Sequence, residues 1–141
     1  VLPRSEKTET KSQLTMEETD KLLIVEDYEG NIAFLTHIMD ELNIKYDLAR
    51  TGLEALKLWG ANPYKLILMD IQMPEMDGIS AIKHIRRIEK ESEMEGHIPV
   101  IAMTAHAFQE DRGKCLAAGF DEYLPKPLSK EMLLNTMSKL L

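Results

Sequence analysis

Five polar residues able to do chemistry follow short apolar blocks of the sequence: Glu26, Asp27, Asp70, Thr104 and Lys126. If the three carboxylates lie together, they repel one another unless a cation sits between them. Carboxylate oxygens are hard ligands that suit Mg²⁺ or Mn²⁺, and Mg²⁺ takes few protein carboxylates because it keeps several waters. The three acids therefore predict a divalent-metal site.

Asp70 is the candidate nucleophile. Once a metal and Lys126 offset its charge, a carboxylate can attack phosphorus and form an aspartyl phosphate. Phosphoryl transfer needs positioning and neutralisation of the phosphoryl oxygens more than it needs acid–base help. Lys126 can supply an ammonium contact and Thr104 a hydroxyl hydrogen bond. We expect these three residues to carry the reaction.

The elements that must position these residues alternate between strand and helix patterns. Repeated alternation is typical of a parallel sheet with helices on both faces. It predicts an α/β, flavodoxin-like (βα)5 three-layer sandwich whose five-stranded parallel sheet has the order 2-1-3-4-5, with ligands at the carboxyl ends of the strands. The nearly continuous apolar blocks assigned to the centre are residues 22–25, 66–69 and 100–103, and the mixed blocks assigned to the edges are residues 46–49 and 122–124.

The composition predicts one domain. A chain of 141 residues with 44% hydrophobic content suits a single fold, and its net charge of −7 argues against nucleic-acid binding. No apolar run approaches the about 20 residues that cross a bilayer, so we expect no direct membrane contact. Residues 1–20 have the composition of a flexible linker or tail, and residues 21–141 that of the folded domain. A single cysteine, Cys115, suits a reducing, cytoplasmic setting.

Four motifs within residues 21–141 resemble the receiver domain of two-component signalling: LLIVEDYEGN, LILMDIQMPEMDG, PVIAMTAHA and DEYLPKP. The resemblance implies that Asp70 takes a phosphoryl group from a phosphohistidine. It implies that Asp27 and Asp70 bind the metal directly, that Glu26 acts through water, and that the Gln72 backbone carbonyl is a further ligand. Glu26 stands where the family more often has Asp, which lengthens that arm and keeps its charge.

The resemblance also assigns roles beyond the metal. Thr104, the backbone of Ala105 and Lys126 would bind the phosphate, and the Lys126–Pro127 peptide would be cis. Thr104 and Tyr123 match the switch pair of the family, in which the ring turns inward after phosphorylation. Receivers of this kind catalyse their own phosphorylation and dephosphorylation. The residues at the two variable positions that tune dephosphorylation are Gln72 and His106.

Within the family, the motifs are most similar to the receivers of hybrid sensor histidine kinases, with a stand-alone response regulator as the alternative. The expected partner is a histidine phosphotransfer domain or the dimerisation helices of a kinase, and the domain would be a monomer or weak dimer. Docking would use the face around Asn31, Ile32 and Leu35. Core packing is the alternative for the two apolar residues, and it is the favoured interpretation for Leu35.

Two other functions remain as alternatives. An aspartyl-phosphate phosphatase usually carries a second acid two residues after its nucleophile, and that position here is Gln72. A flavodoxin-like FMN binder would need a phosphate loop after the first strand, where Glu26 and Asp27 would instead repel the phosphate. No nucleotide-binding glycine motif is present, so kinase activity in this chain is disfavoured.

Overall fold

Five strands alternate with five helices along the chain. The structure, a computed structural model, describes residues 16–73, 76–92, 96–105 and 109–141. The strands are β1 (Lys21–Val25), β2 (Lys45–Ala49), β3 (Leu66–Asp70), β4 (Val100–Thr104) and β5 (Glu122–Pro125). The helices are α1 (Glu29–Glu41), α2 (Gly52–Ala61), α3 (Gly78–Glu91), α4 (Gln109–Ala118) and α5 (Lys130–Leu140).

The strands form one parallel sheet in the order β2-β1-β3-β4-β5, which confirms the predicted fold and topology. Every residue of β3 and β4 is buried, whereas β2 and β5 at the edges are partly exposed. This difference follows from position, because helices cover both faces of the central strands. The connections that leave β1 and β3 run to opposite sides, towards β2 and β4, and this opens a crevice at the carboxyl ends of the two strands.

Alternate residues of each strand contribute to two separate hydrophobic cores. Leu22 and Ile24 of β1 face one helical layer, and Leu23 and Val25 face the other. This alternation is the period of two that a strand imposes on its side chains. Helices α1 and α5 cover the first core, and helices α2, α3 and α4 cover the second.

Side-chain N-caps stabilise the first turn of three helices. The side chains of Thr51, Asp77 and Ser129 each accept a hydrogen bond from the backbone amide three residues later, which satisfies an otherwise unpaired donor of the first turn. After α4, Gly119 has a φ of +125°, as expected for the predicted glycine at a helix end. Among the helices of the described ranges, none is long and apolar enough to cross a membrane.

Arg86 of α3 holds the segments that lead into β4 and β5. Its guanidinium donates to the carbonyls of Gly119 and Ile98, at 2.9 and 2.8 Å, and to the carboxylates of Glu89 and Asp121, both at 2.8 Å. Hydrogen bonds between charged groups are among the stronger ones, and the Arg86 side chain is largely buried here. One residue therefore joins α3 to the loops before β4 and β5.

Gly78, at the start of α3, lies against the backbone at the end of β3 and leaves no room for a side chain. A Cβ at Gly78 would lie 2.6 Å from the Asp70 carbonyl oxygen, whereas one at Gly60 of α2 would meet nothing within 4 Å. Gly78→Ala should lower the free energy of unfolding by about 1–3 kcal/mol through overpacking. Gly60→Ala should leave it unchanged or raise it by up to about 1 kcal/mol, because alanine favours helix. Urea denaturation measures both, and equal effects would contradict the packing described.

Candidate metal and phosphoryl-transfer site

Three carboxylates meet at the carboxyl ends of β1 and β3. Asp70 is the last residue of β3, and Glu26 and Asp27 directly follow β1. The two strands are neighbours with Val25 level with Met69, so the residues that come next lie side by side. Oxygens of the three carboxylates lie within 4.8 Å of one another. The predicted acidic residues are therefore brought together.

The acids differ in exposure. Glu26 and Asp70 are 0% and 2% exposed, whereas Asp27 lies open to solvent. Asp27 thus forms the outer rim of the cluster, and the other two form its floor.

Lys126 supplies the positive charge at the floor of this cluster. Its ammonium lies 3.0 Å from Asp70 Oδ1 and 3.6 Å from Glu26 Oε1, and its side chain is 17% exposed. Its backbone amide donates to the Thr104 carbonyl at 2.7 Å, which ties the loop after β5 to the end of β4. The Lys126–Pro127 peptide bond is cis.

Uncharged donors hold the two buried carboxylates in place. The Gln72 amide donates to Asp70 Oδ1 at 3.1 Å. Glu26 receives one bond on each oxygen, from the Tyr28 amide at 3.2 Å and from the Asn31 side-chain amide at 3.2 Å. Both oxygens of Glu26 are therefore fixed by groups from the start of α1.

The pKa of Glu26 is raised from 4.5 to about 7. Burial is the largest cause, because it penalises the charged carboxylate, and the hydrogen bond and negative charge of Asp70 add to it. The Tyr28 amide and Lys126 favour the charged form but do not outweigh burial. The cluster without a cation therefore opposes full ionisation.

The donor set fits a small divalent cation. It consists of carboxylate oxygens, which are hard ligands, and one carboxylate is open to solvent, which leaves room for the waters that Mg²⁺ retains. Lys126 offsets one of the three negative charges of the ionised cluster. The remaining two equal the charge of one such cation.

The other predicted site residues lie on β4, on β5 and shortly after β3 and β4. Thr104 ends β4 and is 2% exposed, while Ala105 and Gln72 are exposed. Tyr123 of β5 is partly buried and packs against the core beneath α3 and α4. The Arg112 guanidinium of α4 lies 5.4 Å from the centre of the Tyr123 ring. His106 lies outside the described residues.

The predicted docking face on α1 is wrong for its two apolar residues. Ile32 and Leu35 are 7% and 0% exposed, so both belong to the core, which for Leu35 is the interpretation that the sequence favoured. The Asn31 side chain turns towards Glu26. The helical period explains the error, because Ile32, Leu35 and Met39 share the face that α1 presents to the sheet.

Comparison with known proteins agrees with this geometry. The family model described as "Response regulator receiver domain" matches residues 22–138. The chain belongs to the response regulator receiver domain family. Hybrid signal transduction histidine kinase B of Dictyostelium discoideum is 36% identical to this receiver over 144 residues, which is 96% of this chain and 7% of that protein. The chain thus spans a small part of this curated relative, and the predicted resemblance is confirmed.

Solved structures support the same family. A chain from the co-crystal of the Saccharomyces cerevisiae phosphotransfer protein Ypd1 and the Ssk1 receiver domain is 34% identical, with a TM-score of 0.82 over 86% of this receiver and 88% of that chain. The receiver domain of sensor histidine kinase PA1611 from Pseudomonas aeruginosa PAO1 is 33% identical, with a TM-score of 0.75 over 86% and 96% of the two chains. That structure has a magnesium ion coordinated in its active site cleft.

Two residues near the site were not predicted to serve it. Gly78 lets α3 approach the Asp70 carbonyl, and Asn31 binds Glu26. For Asn31 the sequence shows only a polar residue in the first turn of α1, and its contact with Glu26 depends on the rotation of the helix and on the rotamer. Gly78 follows the capping Asp77, and its close contact with the backbone of β3 is visible only in three dimensions.

The raised pKa of Glu26 predicts a pH-dependent stability of the metal-free receiver. The folded state favours the protonated acid, so this stabilisation is present below pH 4.5 and is lost as the pH rises through about 7. Glu26→Gln removes the charge, so at pH 8 in EDTA it should raise the free energy of unfolding by about 1–3 kcal/mol over the parent. At pH 4.5 the gain should be absent.

Urea denaturation at both pH values measures this difference. Glu18→Gln, which alters an exposed carboxylate outside the site, should shift stability equally at the two pH values. A Glu26→Gln effect that is the same at pH 4.5 and pH 8 would contradict the raised pKa.

Proposed function

We propose that this receiver domain accepts a phosphoryl group from a phosphohistidine onto Asp70. The observation that carries the proposal is the Asp70 carboxylate, which is 2% exposed, 3.0 Å from the Lys126 ammonium and within an acidic cluster that fits a divalent cation. Membership of the receiver family supports a phospho-acceptor role in two-component signalling. The assignment of that role to Asp70 rests on the cluster.

In the proposed step, an Asp70 oxygen attacks phosphorus while the bond between phosphorus and the histidine nitrogen breaks. The leaving imidazole keeps the electron pair of that bond, and the phosphoryl group remains on Asp70 as an acyl phosphate. In the later hydrolysis a water oxygen attacks phosphorus, the bond between phosphorus and the Asp70 oxygen breaks with its electron pair returning to the carboxylate, and the water proton leaves with the phosphate or to solvent. No side chain needs to act as a strong acid or base, because imidazole is a competent leaving group and the barrier is mainly one of charge and alignment.

The surrounding residues neutralise and orient the transferred group. Lys126 would pair with a phosphoryl oxygen, and the Thr104 hydroxyl and the Ala105 backbone amide would donate to the others. Asp27, Asp70 and the Gln72 carbonyl would hold Mg²⁺ or Mn²⁺ directly, and Glu26 would act through water. When bound, the cation supplies charge stabilisation for the phosphoryl oxygens.

The same pocket offers a route for the signal. Tyr123 and Ala102 are partners in the β4–β5 register, and Thr104 is two residues further along β4, so Thr104 and Tyr123 share a face of the sheet. If the phosphoryl group draws the Thr104 hydroxyl inwards, the Tyr123 ring gains space to turn. That rotation would change the surface of α4, β5 and α5.

The partner we propose is a histidine-containing phosphotransfer domain or the dimerisation helices of a histidine kinase. The Ssk1 receiver, which was crystallised with the phosphotransfer protein Ypd1, and the hybrid kinase relatives support this assignment. We further propose that residues 21–141 form the receiver unit, residues 1–20 a linker, and the parent protein a hybrid sensor kinase.

The acceptor residue can be tested with a small phosphodonor. Incubation with acetyl phosphate and Mg²⁺ should add one phosphoryl group to the protein, detected by intact mass, and Asp70→Asn should abolish the addition because an amide is not a nucleophile. Asp40→Asn, which changes an exposed acid of α1, should label like the parent. Equal labelling of Asp70→Asn would refute the assignment.

The donor class can be tested with a phosphorylated phosphotransfer domain such as Ypd1. Radiolabel should move from its phosphohistidine to the receiver in Mg²⁺ and stay with the donor in EDTA, since without the cation the acidic cluster repels the phosphoryl group. A receiver that labels with acetyl phosphate but with no phosphohistidine protein would contradict the proposed donor class.

A further inference from the structure

We propose that Asn31 is a positioning residue that holds the Glu26 carboxylate in its cation-binding orientation. The inference rests on the proposed function, because it concerns the same divalent-cation site. It adds a residue for which the receiver resemblance gave no role in cation binding.

The contacts place Asn31 at one oxygen of the carboxylate. Its side-chain amide donates to Glu26 Oε1 at 3.2 Å, and the Tyr28 backbone amide donates to Oε2 at 3.2 Å. Asn31 is itself held by α1, because its backbone amide donates to the Tyr28 carbonyl at 3.1 Å. The carboxylate is thus fixed from both sides by the first turn of one helix.

Glu26 needs this restraint more than a shorter acid would. A glutamate has one more rotatable bond than an aspartate, and ordering a long side chain lowers its entropy. The ammonium of Lys126 lies 3.6 Å from the same Oε1 atom and attracts it towards Asp70. The Asn31 amide gives the same oxygen a second partner without adding a positive charge that would repel the cation.

The Asn31 amide also leaves the charge of the cluster unchanged. An arginine or lysine in its place would reduce the attraction for a divalent cation, and an aliphatic side chain would leave Oε1 with Lys126 as its partner. Groups that orient the ligands of a metal in this way commonly change its affinity by about 10–100-fold when removed. Asn31 has the chemistry and the position of such a group.

The experiment is a double-mutant cycle read by Mg²⁺ titration calorimetry on the whole chain. Asn31→Ala should weaken Mg²⁺ binding and raise the dissociation constant by about tenfold. In a Glu26→Asp background the same change should alter it by less than about twofold, because the shorter acid no longer reaches the Asn31 amide. Asn135→Ala, on an exposed position of α5, should leave the dissociation constant as it is in the parent.

An unchanged dissociation constant for Asn31→Ala would overturn the inference. An equal loss of Mg²⁺ affinity in the parent and in the Glu26→Asp background would also overturn it, because it would mean that Asn31 has a general structural role. Asn31→Leu, similar in shape and without a donor, replaces the alanine variant if that variant fails to unfold cooperatively in EDTA. The acetyl phosphate experiment separates the two proposals. A parent protein that labels on Asp70 while Asn31→Ala binds Mg²⁺ normally refutes only the role of Asn31.

Discussion

The repulsion among three carboxylates at one sheet edge is the constraint on which the site depends. Two of them are buried, and burial strengthens repulsion because little water is left to screen it. Lys126 offsets one charge and must come from the far side of the crevice, after β5. Only a fold that brings the ends of β1, β3 and β5 to one rim can place these groups together, and a parallel sheet with both faces covered does so.

The surroundings of two acids, Asp47 and Glu26, shift their pKa values in opposite directions. The pKa of Asp47 is lowered because Lys21 and the Tyr64 hydroxyl both donate to it, at 2.9 and 2.7 Å. The pKa of Glu26 is raised because burial and Asp70 outweigh its donors. Asp47 is satisfied by the protein alone and stabilises the sheet edge, whereas Glu26 is in an environment that a cation would improve.

The sequence predicted the fold and the members of the acidic cluster for the same reason. Central strands covered on both faces must be continuously apolar, so their boundaries are visible, and a polar residue directly after such a strand lies at the sheet edge. Contacts made by long side chains were not predictable. The reach of Arg86 across three segments and the inward turn of Asn31 depend on helix rotation and rotamer, which a pattern of residue types does not specify.

The two hydrophobic cores lie on opposite faces of the sheet, and this determines how substitutions in them combine. Their side chains are separated by the backbone of the sheet, so a cavity opened near Leu133 of α5 lies away from the side chains around Ile85 of α3. Energetic effects of substitutions on opposite faces should then add. A substitution in one core should therefore leave the packing of the other core as it is.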